Sequence, residues 1–184
     1  MKAPAQRRVQ GFFLLEMLVA VLIVSLGLFG LSKMQAAALS NTQTSRVRAL
    51  IALQAASLAE AMHGNRGFWA AGGTAPSSVT VTGTTVTDAS GVLSTAADCS
   101  GATCTSAQLA AYDLQTWAGR MNTRFPLYTA AIQCTTVVGQ PISCVISLGW
   151  AEKYVAINRG TAAAAGATQT ASASSMQYSL YVEP

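Results

Sequence analysis

The feature that most constrains this chain is an apolar run of twenty residues, Phe12 to Leu31, interrupted by one charge, Glu16. At about 1.5 Å per residue a helix of that length matches the roughly 30 Å hydrocarbon core of a bilayer. In lipid the run must be helical, because only a helix or a closed barrel satisfies every backbone polar group. A carboxylate inside such a helix costs about 2.5–3.5 kcal/mol near the bilayer centre and less toward an end, so Glu16 calls for a partner or a task. Ahead of the run lie a basic leader with Lys2, Arg7 and Arg8 and the junction Gln10-Gly11-Phe12. Two plain readings fit this layout. In one the run is a signal anchor with Glu16 at headgroup level. In the other it is a cleaved secretory signal with an A-x-A site at Ala36-Ala37-Ala38, although its apolar core exceeds the usual ~7–15 residues and contains an acid.

Beyond Leu31 the sequence stays helix-compatible to Met62, with no proline between Phe12 and Arg66. Val47, Leu50, Ile51, Ala55, Leu58 and Met62 recur at three- and four-residue spacings as one apolar stripe, with Arg46, Arg48, Gln54 and Glu60 facing elsewhere. Gly27 and Gly30 weaken the apolar half, and Ser40 to Ser45 is a poor helix former, so bends are expected at either place. Gly64-Asn65-Arg66-Gly67 offers glycines suited to a left-handed cap.

The remainder is one small domain of low charge: Lys, Arg, Asp and Glu make up 10% of the 184 residues, a balance that suits a packed, assembled or exported protein. Phe68 to Cys104, rich in Gly, Thr, Ser and Ala, reads as one exposed hairpin or an irregular loop, the loop with marginal strands at Val79-Thr80-Val81 and Val86 being preferred. Thr105 or Ser106 caps a helix through Met121 with Leu109 or Ala110, Leu114, Trp117 and Met121 on one face. Leu127 to Val137 and Ile142 to Trp150 are the best strand signals, flanking Val138-Gly139-Gln140-Pro141. Pairing about Gly139 sets Cys134 opposite Cys144, Ile132 opposite Ile146, Ala130 opposite Leu148 and Tyr128 opposite Trp150, so one register serves both a disulfide and an apolar face. Tyr154 to Asn158 extends or adds a strand, Gly160 to Ser175 is a linker, and alternation of Tyr178, Leu180 and Val182 predicts a closing strand. All four cysteines follow the apolar run, which points to an oxidising, extracytoplasmic compartment. They allow three connectivities, of which the local one, Cys99 with Cys104 and Cys134 with Cys144, is expected.

Catalytic chemistry has little to stand on. His63 is the only histidine, and the cysteines lack the paired C-x-x-C spacing of zinc sites. No phosphate-binding glycine loop is present, and the serines and aspartates have no second histidine to build a triad. Trp69, Trp117 and Trp150 are read as core or half-buried packing. No enzyme activity, metal or cofactor is expected.

Gly11-Phe12-Phe13-Leu14-Leu15-Glu16, preceded by Arg7 and Arg8 and followed by the apolar run, resembles the prepilin processing site of type IV pilins and type II secretion pseudopilins. Ala59 to Arg66, Ala111-Tyr112-Asp113-Leu114, the Cys134 and Cys144 hairpin and Ser147-Leu148-Gly149-Trp150 are similar to the PilV-type minor pilins, the type IV pilus modification proteins. The resemblance implies cleavage after Gly11 by a prepilin peptidase and N-methylation of Phe12. Loss of Lys2, Arg7 and Arg8 takes the formal charge from +4 to +1, so the basic balance belongs to the leader and orients the chain; it does not imply nucleic acid. Phe13 departs from the Thr or Ser more usual there.

The resemblance also implies an α+β, pilin-like fold. It comprises a leader at 1–11, a transmembrane and filament-core helix at 12–31, its amphipathic continuation at 32–63, and a periplasmic head at 64–184 with a small antiparallel sheet. Glu16 would serve assembly, and Gly27 and Gly30 a helix hinge, close helix packing through small residues being the equal alternative. The implied role is a minor pilin of a bacterial inner membrane, N terminus cytoplasmic, that enters the pilus fibre or fimbrium. Its implied partners are other minor and major pilins, the inner-membrane assembly platform and a tip adhesin. A type II secretion minor pseudopilin and a membrane-anchored periplasmic enzyme or binding domain are the alternatives.

Overall fold

The computed structural model describes residues 12–71, 75–135, 137, 140–153 and 173–184. The leader with Gly11, the expected strand at Tyr154 to Asn158, most of the Gly160 to Ser175 linker and the Val138-Gly139 turn lie outside the described residues. The chain divides into two units, Met1–Gln43 and Thr44–Pro184, and helix α1, Phe12–Gly64, contributes to both. The architecture is α+β: a long N-terminal helix and a small antiparallel five-stranded sheet. Helix is assigned without a break through Gly27, Gly30 and residues 40–45. Glycine and serine lower propensity there but keep the N–H that the helix needs, unlike proline.

In the second unit the amphipathic stripe is buried. Ile51, Ala55, Leu58, Ala59 and Met62 are core residues, with Val47 packed partly against them. α1 ends at Gly64 without a left-handed glycine; positive φ occurs among described glycines only at Gly83 and Gly91. The Asn65 amide instead donates to the Met62 carbonyl at 3.2 Å. The buried Asn65 side chain donates to the Ser106 carbonyl at 2.7 Å, tying the helix end to the start of another helix. A single turn, α2 (Arg66–Trp69), then buries Phe68 and Trp69 edge to face at 5.1 Å.

The segment expected as a loop with marginal strands contains a regular hairpin that forms one side of the sheet. β1 (Ser78–Thr82) and β2 (Thr85–Asp88) flank the two-residue turn Gly83-Thr84, where Gly83 has φ +60° as a type II′ turn requires. Val79, Val81 and Val86 face the core and the threonines face out. Asp88 then organises the following loop, its carboxylate accepting from the backbone amides of Val92, Leu93 and Ser94.

α3 (Ser106–Arg124) opens with a capping box: Thr105 accepts from the Gln108 amide while the Gln108 side chain accepts from Thr105 N–H. Ala110, Ala111, Leu114, Trp117, Ala118 and Met121 form its buried face, and Trp117 Nε1 donates to the Gln54 carbonyl of α1 at 3.0 Å. The chain leaves α3 through a turn over Phe125 to Tyr128, with Tyr128 N–H donating to Phe125 C=O at 3.1 Å. Pro126 and the positive φ of Leu127, 74°, occupy its central positions. That turn delivers Tyr128 into the core, edge to face with Trp117 at 5.9 Å. Its hydroxyl donates to the Gly83 carbonyl at 2.8 Å, with the Ala118 carbonyl 3.3 Å away, and burial pushes its pKa up to about 12. Tyr128 therefore does not pair with Trp150.

β3 (Thr129–Cys134) and β4 (Cys144–Lys153) are shorter at the turn end than their sequence signals. Within them the register sets Cys134 opposite Cys144, Ile132 opposite Ile146 and Ala130 opposite Leu148. Gly149 lies opposite Thr129, whose Oγ1 would be 2.7 Å from an added Cβ, so a side chain there would force the Thr129 hydroxyl to turn aside. β5 (Ala173–Val182) pairs with β4, and the sheet order is β2-β1-β3-β4-β5.

Arg48 of α1 meets Glu152 of β4 in a bidentate pair at 2.9 and 2.8 Å, with Trp150 Nε1 donating to the same carboxylate at 3.0 Å. The hydrogen bond from Arg48, then that from Trp150 and the Arg48 charge, hold Glu152 below the usual carboxylate range against its desolvation. A depressed folded-state pKa adds stability above the ordinary glutamate range and loses it as pH falls through the folded value. The melting temperature of wild type is expected to exceed that of Arg48→Gln near neutrality, with the gap closing in acid. A pH-independent gap in a thermal unfolding series counts against the pair.

Candidate functional site

The candidate site is the first turns of α1. The helix runs from Phe12, and Glu16 lies exposed on it, the one ionisable residue between Phe12 and Ser32. Around it every described side chain from Leu14 to Leu31 is exposed, including Leu14, Leu15, Met17, Leu18 and Phe29. Such a surface is unfavourable in water, at about 25 cal/mol per Å², and calls for lipid or other helices around it. This is the one described helix long and apolar enough to cross a membrane, with mean hydropathy 2.5 in its most apolar window.

The polar side chains nearby support the same environment. Ser25 Oγ donates to the Leu22 carbonyl at 2.8 Å and Ser32 Oγ to the Leu28 carbonyl at 2.9 Å. Hydroxyls bonded to their own helix backbone need no water, the arrangement an apolar medium demands. Glu16 has no partner of this kind among the described hydrogen bonds and ion pairs of α1.

Gly11 lies outside the described residues. Gly27 and Gly30 sit within the helix with open space around the position a Cβ would take, so nothing among the described residues requires glycine there. The cysteines are joined as Cys99–Cys104 and Cys134–Cys144, both in the second unit. His63 is exposed at the last turn of α1, and among the described residues no three His, Cys, Asp or Glu side chains gather into a metal-binding group. Trp69 and Trp117 are core residues and Trp150 is half-buried.

The chain matches no protein-family model, no curated protein and no solved structure.

Proposed function

We propose that this chain is a minor pilin: a PilV-type subunit cut after Gly11, methylated at Phe12, held in the bacterial inner membrane and built into a type IV pilus with other minor pilins. The observation that carries the reading is the lone carboxylate of Glu16, placed early in an exposed apolar helix whose polar hydroxyls are otherwise satisfied by its own backbone. The long helix, whose later residues are buried in a small antiparallel sheet domain stapled by two disulfides, supports a pilin-like fold. The role is structural, priming assembly and presenting an adhesin, with no catalytic step.

In this reading Glu16 is the polar contact of assembly. In a bundle of apolar N-terminal helices a carboxylate needs a cation, and the amine of Phe12 on a neighbouring subunit is supplied at matching depth by every chain. A subunit at the outermost tip has nothing above it to engage, so retention of Glu16 favours a place beneath another minor pilin.

The test is the intact mass of membrane-extracted protein. Loss of residues 1–11 and gain of one methyl group support the reading, and an uncut chain makes the helix a plain anchor. Gly11→Val should accumulate as the longer precursor, because a side chain there blocks close approach of a peptidase to the backbone. Normal maturation of that variant overturns the processing assignment.

A further inference from the structure

The two edges of the sheet are built differently. β2 is four residues long and ends at Asp88, whose carboxylate gathers the next loop around it. A short edge closed by a charge is protected against added strands. β5 has no such protection. It runs ten residues, pairs with β4 without a bulge from Lys153↔Ala173 to Cys144↔Val182, and contains no charge and no proline. Among the described residues no strand covers its outer side.

We infer that β5 is a docking edge for β5 of a second copy of this chain, the two strands pairing antiparallel about Tyr178. The side chains favour a copy. On the core side, Met176, Tyr178 and Leu180 alternate and are only half-buried, while Ser175, Gln177, Ser179 and Tyr181 are exposed on the other face. A two-fold register centred on Tyr178 sets Tyr178 against Tyr178 and Met176 against Leu180 on one face. On the other it sets Gln177 against Ser179 and Ser175 against Tyr181. Over the central residues 175–181 apolar meets apolar, hydroxyl and amide groups meet their like, and no charges oppose, while Val182 falls against Ser174 at the strand ends. One added strand buries less than the roughly 1,200 Å² of stable complexes, so pairing is weak in dilute solution. Copies concentrated in one bilayer by their apolar helices gain from high effective concentration. The inference thus rests on membrane insertion and not on the pilus assignment.

All four native cysteines are in disulfides, so one added cysteine reports the pairing. Full-length Tyr178→Cys in lipid bilayers should form a disulfide-linked dimer under mild oxidation, whereas Thr87→Cys on the protected edge should not. Because Tyr178 also packs against the core, a mixture of Gln177→Cys and Ser179→Cys chains, both altered at exposed positions, should crosslink more than either variant alone. Adding both Gln177→Lys and Ser179→Lys, which the register sets against each other, to Tyr178→Cys should abolish the dimer. Equal crosslinking through Thr87→Cys, or no dimer from either the Tyr178→Cys chain or the mixture, overturns the inference. Mass spectrometry of processing, measured on the same sample, reports separately on the pilin reading.

Discussion

Replacing both Cys134 and Cys144 by serine is expected to lower the melting temperature of the full chain in detergent micelles by roughly 5–10 °C. The bond joins residues ten apart in sequence, and closing such a loop in the unfolded chain is worth about 2.5–3 kcal/mol. The site adds to the loss, since Cys134 and Cys144 are 8% and 0% exposed and two buried hydroxyls would replace an apolar bridge. The Cys99–Cys104 bridge spans five residues in a surface loop, so its removal should shift the transition less. Circular dichroism melts of the two double variants decide the order. The reverse ranking would remove the hairpin from its place as the staple of the sheet.

Glu16→Ala should be processed and inserted as wild type is, and should then fail to enter the pilus, reducing pilus number by a large factor. Removing the carboxylate lowers the cost of insertion, by up to about 2.5–3.5 kcal/mol, so a membrane defect is not expected. In the proposed function, what disappears is the one polar contact that sets the depth of this helix among apolar neighbours. Membrane fractionation and pilus counts separate the two effects. Assembly at wild-type levels would leave Glu16 without a role in the proposed function.

Much of this was legible where local chemistry and pattern agreed. The β3–β4 register follows from cysteines and apolar residues that call for the same pairing, and α3 from a capping residue at Thr105 or Ser106 ahead of one apolar face. Tyr128 was misplaced because Pro126 and the left-handed Leu127 form a turn where alternation alone reads strand. β1 reads as only a marginal strand because its serine and threonines and the glycines around it carry a weak strand signal; its burial comes from β3, some fifty residues later. The Arg48–Glu152 pair, 104 residues apart, has no local trace at all. Glu16 stood out early because an acid within twenty apolar residues is a purely local anomaly, whereas what it meets belongs to other molecules.

The strand order makes the sheet two local hairpins, β1–β2 and β3–β4, the second extended by β5, joined by a seam between β1 and β3. Each hairpin closes a short loop, but the seam must gather the whole of α3 and the loops around it before its first pair, Thr82 with Thr129, can form. Non-local pairings of this kind are slow to find. Tyr128 reaches from the start of β3 to the Gly83 turn of β1, bridging the hairpins at the end of the seam nearest that turn. A chain held up before this step would show its neighbours two half-sheets with raw edges, so the time spent reaching it sets how long each new molecule is open to mispairing.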